Sequence, residues 1–311
     1  MMKKTFLWNF LFLIVILVIL EVTAYTIESY KYSHLPYSAA NKFHFIVYPF
    51  KLKTFDEEYA IIKKAEPENS LRQPIGIKYT KRPIILFGCS YTWGSGLKQT
   101  QRFQYKLAQF TKRPVYNFAF PAWGVQHMLY ILQNEKSLEN IKNPEYVIFT
   151  FFSDHPYRLN TFSFNTPDNF FYLKYKMDHG RLIQDKPIFP FLYNFYITRY
   201  IQRGCWNQKV SNAKNNNEVF ELIKKHFIES KKIIDRKYPG TKFVILMYDE
   251  TNWYIDTPRW QELEKQGFII LHTDKITGKH IAQQEYKLID GHPNEKAWDF
   301  VVPAMAKALK I

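Results

Sequence analysis

The sequence predicts an α/β domain built on a parallel five-stranded sheet with helices on both faces, preceded by an apolar helix at the N-terminus. Three observations carry this. Short apolar runs alternate with longer segments of helical period from Ile84 to Leu309, the pattern of strand–helix–strand units. The first of these runs ends in a glycine-punctuated turn, Gly88-Cys89-Ser90-Tyr91-Thr92-Trp93-Gly94, which reads as strand, sharp turn, helix. The chain also begins with lysines followed by an apolar run in which only Asn9 is polar, Phe6 to Leu20.

Taken in order, Met1-Met2-Lys3-Lys4 precedes that apolar run. Extended to Ile27, it reaches the roughly 20 residues that cross a hydrocarbon core of about 30 Å. The lysines favour a cytoplasmic N-terminus, which leaves the rest of the chain on the periplasmic or extracellular side. A cleaved signal peptide is the alternative, because Val22-Thr23-Ala24 offers small residues at cleavage spacing. On either reading the remainder is exported. Residues 1–27 are thus expected to be a membrane anchor and 28–80 a juxtamembrane segment. The latter mixes aromatics with charge, as in Tyr30-Lys31-Tyr32 and in the stretch from Phe43 to Phe50, and is expected to pack across the domain with a short β-hairpin.

The α/β domain is expected over 81–311. Strands are predicted at Ile84–Gly88, Val115–Asn117, Tyr146–Phe152, Lys242–Met247 and Phe268–His272. Helices are predicted at Gln101–Thr111, Val125–Leu138, Glu218–Lys237, Pro258–Gln266 and Glu295–Leu309. The alternation is broken by an insertion at 154–217, dense in aromatics from Phe162 and Phe164 through Tyr175 to Phe195 and Tyr196, and ending in a polar Asn-rich run. An insertion of that length beside a crevice reads as a lid or binding loop, with a satellite core or a membrane-resting surface as the alternative.

Composition bounds the function. A chain of 311 residues with 46% hydrophobic content holds one sizeable core plus the anchor. Its 43 Lys and Arg against 28 Asp and Glu give a net charge of +15. The lysines are scattered, so this is read as a solvated surface before it is read as a patch for anionic envelope polymers or lipid headgroups. Nucleic acid is not an expected partner. Cys89 and Cys205 are too few for a disulfide framework.

The chemistry is read from two stretches. At the carboxyl end of a parallel strand a side chain enters the crevice where α/β folds bind ligands. Ser90 stands there, where amides at a helix start stabilise developing negative charge. A turn or N-cap serine is the plainer alternative. The second stretch, Asp290-Gly291-His292-Pro293-Asn294, supplies an imidazole able to take the serine proton and a carboxylate able to orient it.

Together, Gly88-Cys89-Ser90-Tyr91-Thr92-Trp93-Gly94 and Asp290-Gly291-His292-Pro293-Asn294 resemble the first and last sequence blocks of the SGNH, or GDSL, hydrolase superfamily, over roughly Pro83 to Ile311. The resemblance implies a flavodoxin-like three-layer α/β/α sandwich and serine ester hydrolysis or acyl transfer. It also implies two intermediate blocks, which are present in altered form. In Asn117-Phe118-Ala119-Phe120-Pro121-Ala122-Trp123-Gly124, Ala122 stands where the family has an oxyanion-hole glycine, with Gly124 two positions on. After the strand at Tyr146, Ser153 stands where the family has asparagine and is followed by Asp154. Cys89 occupies the place of the aspartate of the GDSL signature, and Ile289 the place where many members carry the acid, so the carboxylate is Asp290, two before the histidine.

The expected reading is therefore an exported, membrane-anchored serine ester hydrolase removing an acyl group from an envelope polysaccharide or lipid. Ser90 is its nucleophile, His292 its base and Asp290 its orienting acid, with the histidine leaning on a backbone carbonyl as the alternative. Ser90, Ala122 and Ser153 form the oxyanion hole, with Gly124 and Asp154 ranked behind them. No cofactor and no metal are expected. The alternatives are an O-acyltransferase acting on a cell-envelope glycan and a non-catalytic binding or assembly protein of the same fold. Catalysis by Cys89, and a metal site drawn from Asp154, His155, Asp290 and His292, rank below these. His155 and Arg158 open the insertion and His127 opens a helix; each has a structural explanation as good as a functional one.

Overall fold

A computed structural model describes residues 12–23, 26, 53–54, 81–159, 171–185, 217–248 and 258–311. The chain divides into two compact units, 1–53 with 186–211 and 54–185 with 212–311. In the first, residues 12–23 are helical, with Phe12, Leu13, Val15, Leu17, Val18 and Ile19 all exposed. Among the described residues no helix is long and apolar enough to cross a membrane. Apart from Lys53 and Thr54, the juxtamembrane segment, with the hairpin expected in it, lies outside the described residues.

The second unit holds the sheet. Its strands are β1 (Ile84–Phe87), β2 (Val115–Asn117), β3 (Tyr146–Phe151), β4 (Lys242–Met247) and β5 (Phe268–His272). They lie in the order β2-β1-β3-β4-β5, all parallel, with Ile84 opposite both Val115 and Tyr146, Tyr146 opposite Lys242, and Phe243 opposite Phe268. This is the flavodoxin order. The chain leaves β1 for β2 on one side and returns to β3 on the other, so the switch point where such folds place their ligands lies between β1 and β3.

The helices are α1 (Ser90–Trp93), α2 (Phe103–Thr111), α3 (Val125–Asn134), α4 (Asn217–Lys237), α5 (Pro258–Lys265), α6 (Thr273–Thr277) and α7 (Glu295–Leu309). Successive strand residues face opposite ways, and each face has its own layer. Ile84, Leu86, Ile148, Val244 and Leu246 share a cluster with Phe103 and Leu107 of α2 and Trp298, Val301 and Met305 of α7, where the Phe103 and Trp298 rings stack at 4.6 Å. On the other face Phe149 and Phe243 meet Phe227 of α4, and Phe151 meets Trp260 of α5. Because both faces are covered, β1, β3 and most of β4 are buried throughout, which is why their sequences read as continuous apolar runs rather than alternations.

Several expectations need correction at their edges, among them the helix expected from Gln101, which begins at Phe103 after a 3-10 turn over Gln99–Gln101. The helix expected over Val125–Leu138 stops at Asn134, and a 3-10 turn over Lys136–Asn140 follows, capped by the Glu135 carboxylate accepting from Ser137 N at 2.8 Å. The strands expected to end at Gly88 and Phe152 end one residue earlier. Within the insertion, Lys174–Asp178 pairs antiparallel with Arg181–Asp185, an unexpected hairpin. Its two-residue turn is His179-Gly180, both at positive φ (44° and 75°), as the turn that matches strand twist requires.

Candidate active site

The site is built where β1 ends. Gly88 takes a φ of 151°, and a Cβ there would lie 2.2 Å from Thr92 Oγ1; the turn tolerates only glycine because the first helical turn folds back onto it. Cys89 then caps α1, Ser90 opens it, and Gly94, at φ of 83°, ends it with its N–H donating to Ser90 O at 2.9 Å. Ser90 is 5% exposed. As the first residue of a helix, its N–H has no acceptor within that helix.

Asn117, at the end of β2, ties this turn to the next loop. Its Nδ2 donates to Thr92 O at 3.1 Å, and its Oδ1 accepts from Ala119 N at 2.9 Å. The loop runs on through Ala122, which sits at φ of 66°, the left-handed region that favours glycine. Alanine therefore stands where the resembled family has glycine, in the glycine conformation. Gly124 closes the loop, its N–H donating to His127 Nδ1 at 2.9 Å. That bond and the stacking of the His127 ring on Trp123 at 5.5 Å occupy His127 structurally.

The chain after β3 forms the third wall. Ser153 is half-buried, and Asp154 has a side chain 60% exposed. His155 is fully buried, its Nδ1 accepting from Phe152 N at 3.2 Å. Arg158 is buried as well. Its Nη1 donates to Trp123 O at 3.0 Å, its Nη2 lies 3.6 Å from Asp154 Oδ2, and its guanidinium covers the Phe152 ring at 4.7 Å.

The last wall comes from the turn before α7. Leu288 N donates to His292 O at 2.7 Å and Gly291 N to Leu288 O at 3.0 Å, closing a loop that leaves Ile289 99% exposed and turns Asp290 back on the imidazole. Asp290 Oδ2 is 3.1 Å from His292 Nδ1, within ion-pair range but off the line of a hydrogen bond, and Oδ1 accepts from His292 N at 3.2 Å. The His292 ring packs edge-on against Tyr91, centroids 5.6 Å apart, and Tyr91 Oη donates to Gly291 O at 3.5 Å. The loop is held from below by Asn294, whose Oδ1 caps α7 at Ala297 N while its Nδ2 donates to Glu285 O and Lys287 O.

The fold thus brings the Asp290–His292 loop against the residue that follows Ser90. No hydrogen bond joins the Ser90 hydroxyl to the His292 ring among the described residues; such contacts often tighten only with substrate bound. Burial pushes the Cys89 thiol up, more than the nearby Arg158 lowers it. A buried, protonated thiol is a poor nucleophile. Burial, then Arg158, drives His127 down to about 3 and His155 well below the usual imidazole range. Among the described residues no group of three His, Cys, Asp or Glu side chains is placed to hold a metal ion. Sequence reasoning leaves Arg158 between a substrate contact and a structural ion pair or cap, and gives Asn117 no role, since neither a buried guanidinium nor a bridging amide has a signature in local pattern.

Fold and site define a class: a three-layer α/β sandwich of flavodoxin strand order with a serine at the elbow after its first sheet strand and a histidine–aspartate pair facing that elbow. No family model and no curated protein matches the chain. Among solved structures it is similar to TesA, at 12% identity and a TM-score of 0.44 over 74% of this chain and 98% of that one. It is also similar to Est2A, an acetyl xylan esterase from the rumen bacterium Butyrivibrio proteoclasticus, at 11% identity and 0.44 over 75% of this chain and 64% of that one. A third likeness, at 10% identity and 0.43 over 73% and 99%, is to a putative lipolytic protein of the G-D-S-L family from Desulfitobacterium hafniense DCB-2.

Proposed function

We propose that the protein is a serine-dependent ester hydrolase acting on an acylated glycan or lipid. The observation that carries this reading is the meeting of two sequence-distant segments, with Asp290 Oδ2 3.1 Å from His292 Nδ1 and the His292 ring packed edge-on against Tyr91, next to Ser90. In the proposed mechanism Ser90 Oγ attacks the acyl carbon and its proton passes to His292, which Asp290 orients. The N–H groups of Ser90 and Ala122, with the Ser153 hydroxyl, receive the oxyanion; Gly124 and Asp154 rank behind them, since an ionised carboxylate cannot donate. His292 returns the proton to the departing alcohol, and water then releases the acyl group from Ser90. An acyltransferase shares every step but the last, in which a sugar hydroxyl replaces water.

Export and anchoring belong to the same reading. They are supported by Lys3 and Lys4 ahead of the apolar run and by the exposed apolar side chains along 12–23, a surface suited to lipid. The test is covalent. A fluorophosphonate probe should label the full-length protein, and Ser90→Ala should abolish both labelling and p-nitrophenyl acetate turnover, a loss on the order of 10^4-fold or more. A folded wild-type protein that takes no label is a binding or assembly protein instead. Adding an oligosaccharide acceptor and following the acetyl group separates hydrolysis from transfer.

A further inference from the structure

We infer that Arg158 is the positioning residue that holds the loop carrying the Ala122 N–H in register with Ser90. The inference rests on the serine acyl-transfer reading and goes beyond it in assigning a role to a residue outside the triad and the oxyanion donors. Two amides from separate loops must converge on one oxygen, and a shift of about 1 Å in either is expensive. What fixes their separation is therefore part of the site.

Arg158 bears on a neighbour of each donor, directly at Trp123 and through the Phe152 ring at Tyr91. Its Nη1 donates to the carbonyl of Trp123, one residue after Ala122. On the other side its guanidinium lies over the Phe152 ring, 4.7 Å from the centroid, and that ring stacks on Tyr91, the residue after Ser90, at 4.4 Å. The hold on the loop is reciprocal, because the Arg158 main-chain carbonyl accepts from Gln126 Nε2. The loop also packs against the base of the side chain, where a Cβ on Gly124 would lie 3.4 Å from Arg158 Cβ.

Ion pairing alone does not account for the burial. The carboxylate facing the guanidinium stands 3.6 Å off on a side chain 60% exposed, so solvent screens most of that attraction, while a buried cation carries a desolvation penalty. A planar head with a fork of donors suits a side chain that must lie on an aromatic face while meeting a carbonyl, and lysine offers a point charge instead.

The experiment compares Arg158→Lys, Arg158→Ala and Gln126→Met in the full-length protein, with turnover, backbone exchange and unfolding measured on each. For Arg158→Lys, kcat should fall on the order of 10^2-fold with KM within about 2-fold, the signature of an interaction felt in the transition state. Arg158→Ala should fall at least as far and regain several-fold on adding tens of millimolar guanidinium, which should leave the lysine variant unimproved. Gln126→Met frees the Arg158 carbonyl while sparing the guanidinium, and should give a milder loss of the same kind. In all three, amides over 118–124 should exchange faster while those of β4 stay protected.

Wild-type kcat in Arg158→Lys overturns the inference. So does a rise in KM at constant kcat, which would make Arg158 a substrate contact, and so does unchanged exchange over 118–124. Failure of the wild type to label at Ser90 would instead sink the acyl-transfer reading, and it appears before any variant is made.

Discussion

Ala122 concentrates the energetics of the site in one backbone angle. An L-residue in the left-handed region costs about 1–2 kcal/mol, and the φ of 66° at this position is such a placement. Glycine would remove that strain, but it would lose about 0.5–1 kcal/mol to the freedom of the unfolded chain and up to about 0.8 kcal/mol of methyl burial, since Ala122 is only 4% exposed. The terms nearly cancel, so Ala122→Gly should change stability by less than about 1 kcal/mol and keep most activity, because the proposed donor is the backbone N–H. Ala122→Val has no such cancellation: a β-branched residue at positive φ is strained, and its two extra methyl groups must fit a packed loop. It should lose about 2–3 kcal/mol and most esterase activity. Urea titration and p-nitrophenyl acetate turnover check both variants, and a fully active, fully stable Ala122→Val would show that the loop is not constrained as described.

At the scale of elements, the junction between the 288–292 turn and α7 is where stability and catalysis separate. Asn294 does two jobs with one amide: its oxygen caps α7 at Ala297 N, and its nitrogen holds Glu285 O and Lys287 O, which anchor the turn bearing His292. Asn294→Ala removes both and should cost about 1–2 kcal/mol, with kcat down roughly 10-fold as the imidazole loses its seat. Asn294→Asp keeps the capping oxygen and loses the donors, so it should retain most helix stability yet show a similar kcat loss. If the two variants have equal activity to wild type, the turn is held by other contacts. The same scale shows what can be read from sequence. The three central strands are legible because a strand covered on both faces is apolar almost throughout, as in Ile84–Phe87 and in Phe243 to Met247. The helix read from Val125 overshoots because Leu138, fully buried, continues the apolar rhythm across a 3-10 turn. The His179-Gly180 hairpin escapes such a reading, although its short polar turn lies between runs of similar length, because its exposed strands alternate weakly. Ser90, Asp290 and His292 can be named from motif; the meeting of their loops through Tyr91 cannot, since contacts across about 200 positions are set by topology.

Across the whole molecule, three neutral histidines make the fold sensitive to acid. His127, His155 and His226 are buried. Burial is the leading cause in each case, holding His127 down to about 3, His226 to about 4 and His155 well below its usual range, with Arg158 adding to the effect at His127 and His155. In the unfolded chain each takes a proton near about pH 6.5. Below that pH the unfolded state binds protons that the native state refuses, so stability is intact above about 6.5 and falls as pH drops toward about 4. Each histidine adds a slope of up to about 1.4 kcal/mol per pH unit, and the three together up to about 4. Against a typical total of about 5–15 kcal/mol, that is enough to unfold the protein within about two to three pH units. Carboxylates titrate mainly below about pH 5, so a fall that begins near about pH 6.5 belongs to the imidazoles. His226 is the cleanest probe because it stands apart from the proposed site, its Nδ1 2.7 Å from Leu222 O within α4. His226→Leu should flatten the limb between about pH 4 and 6.5 by about one third while leaving esterase activity at about pH 7.5 near wild type. Urea unfolding at half-unit pH steps reads this directly, and a stability curve level from about pH 6.5 to 4.5 would mean that these imidazoles are protonated in the native state.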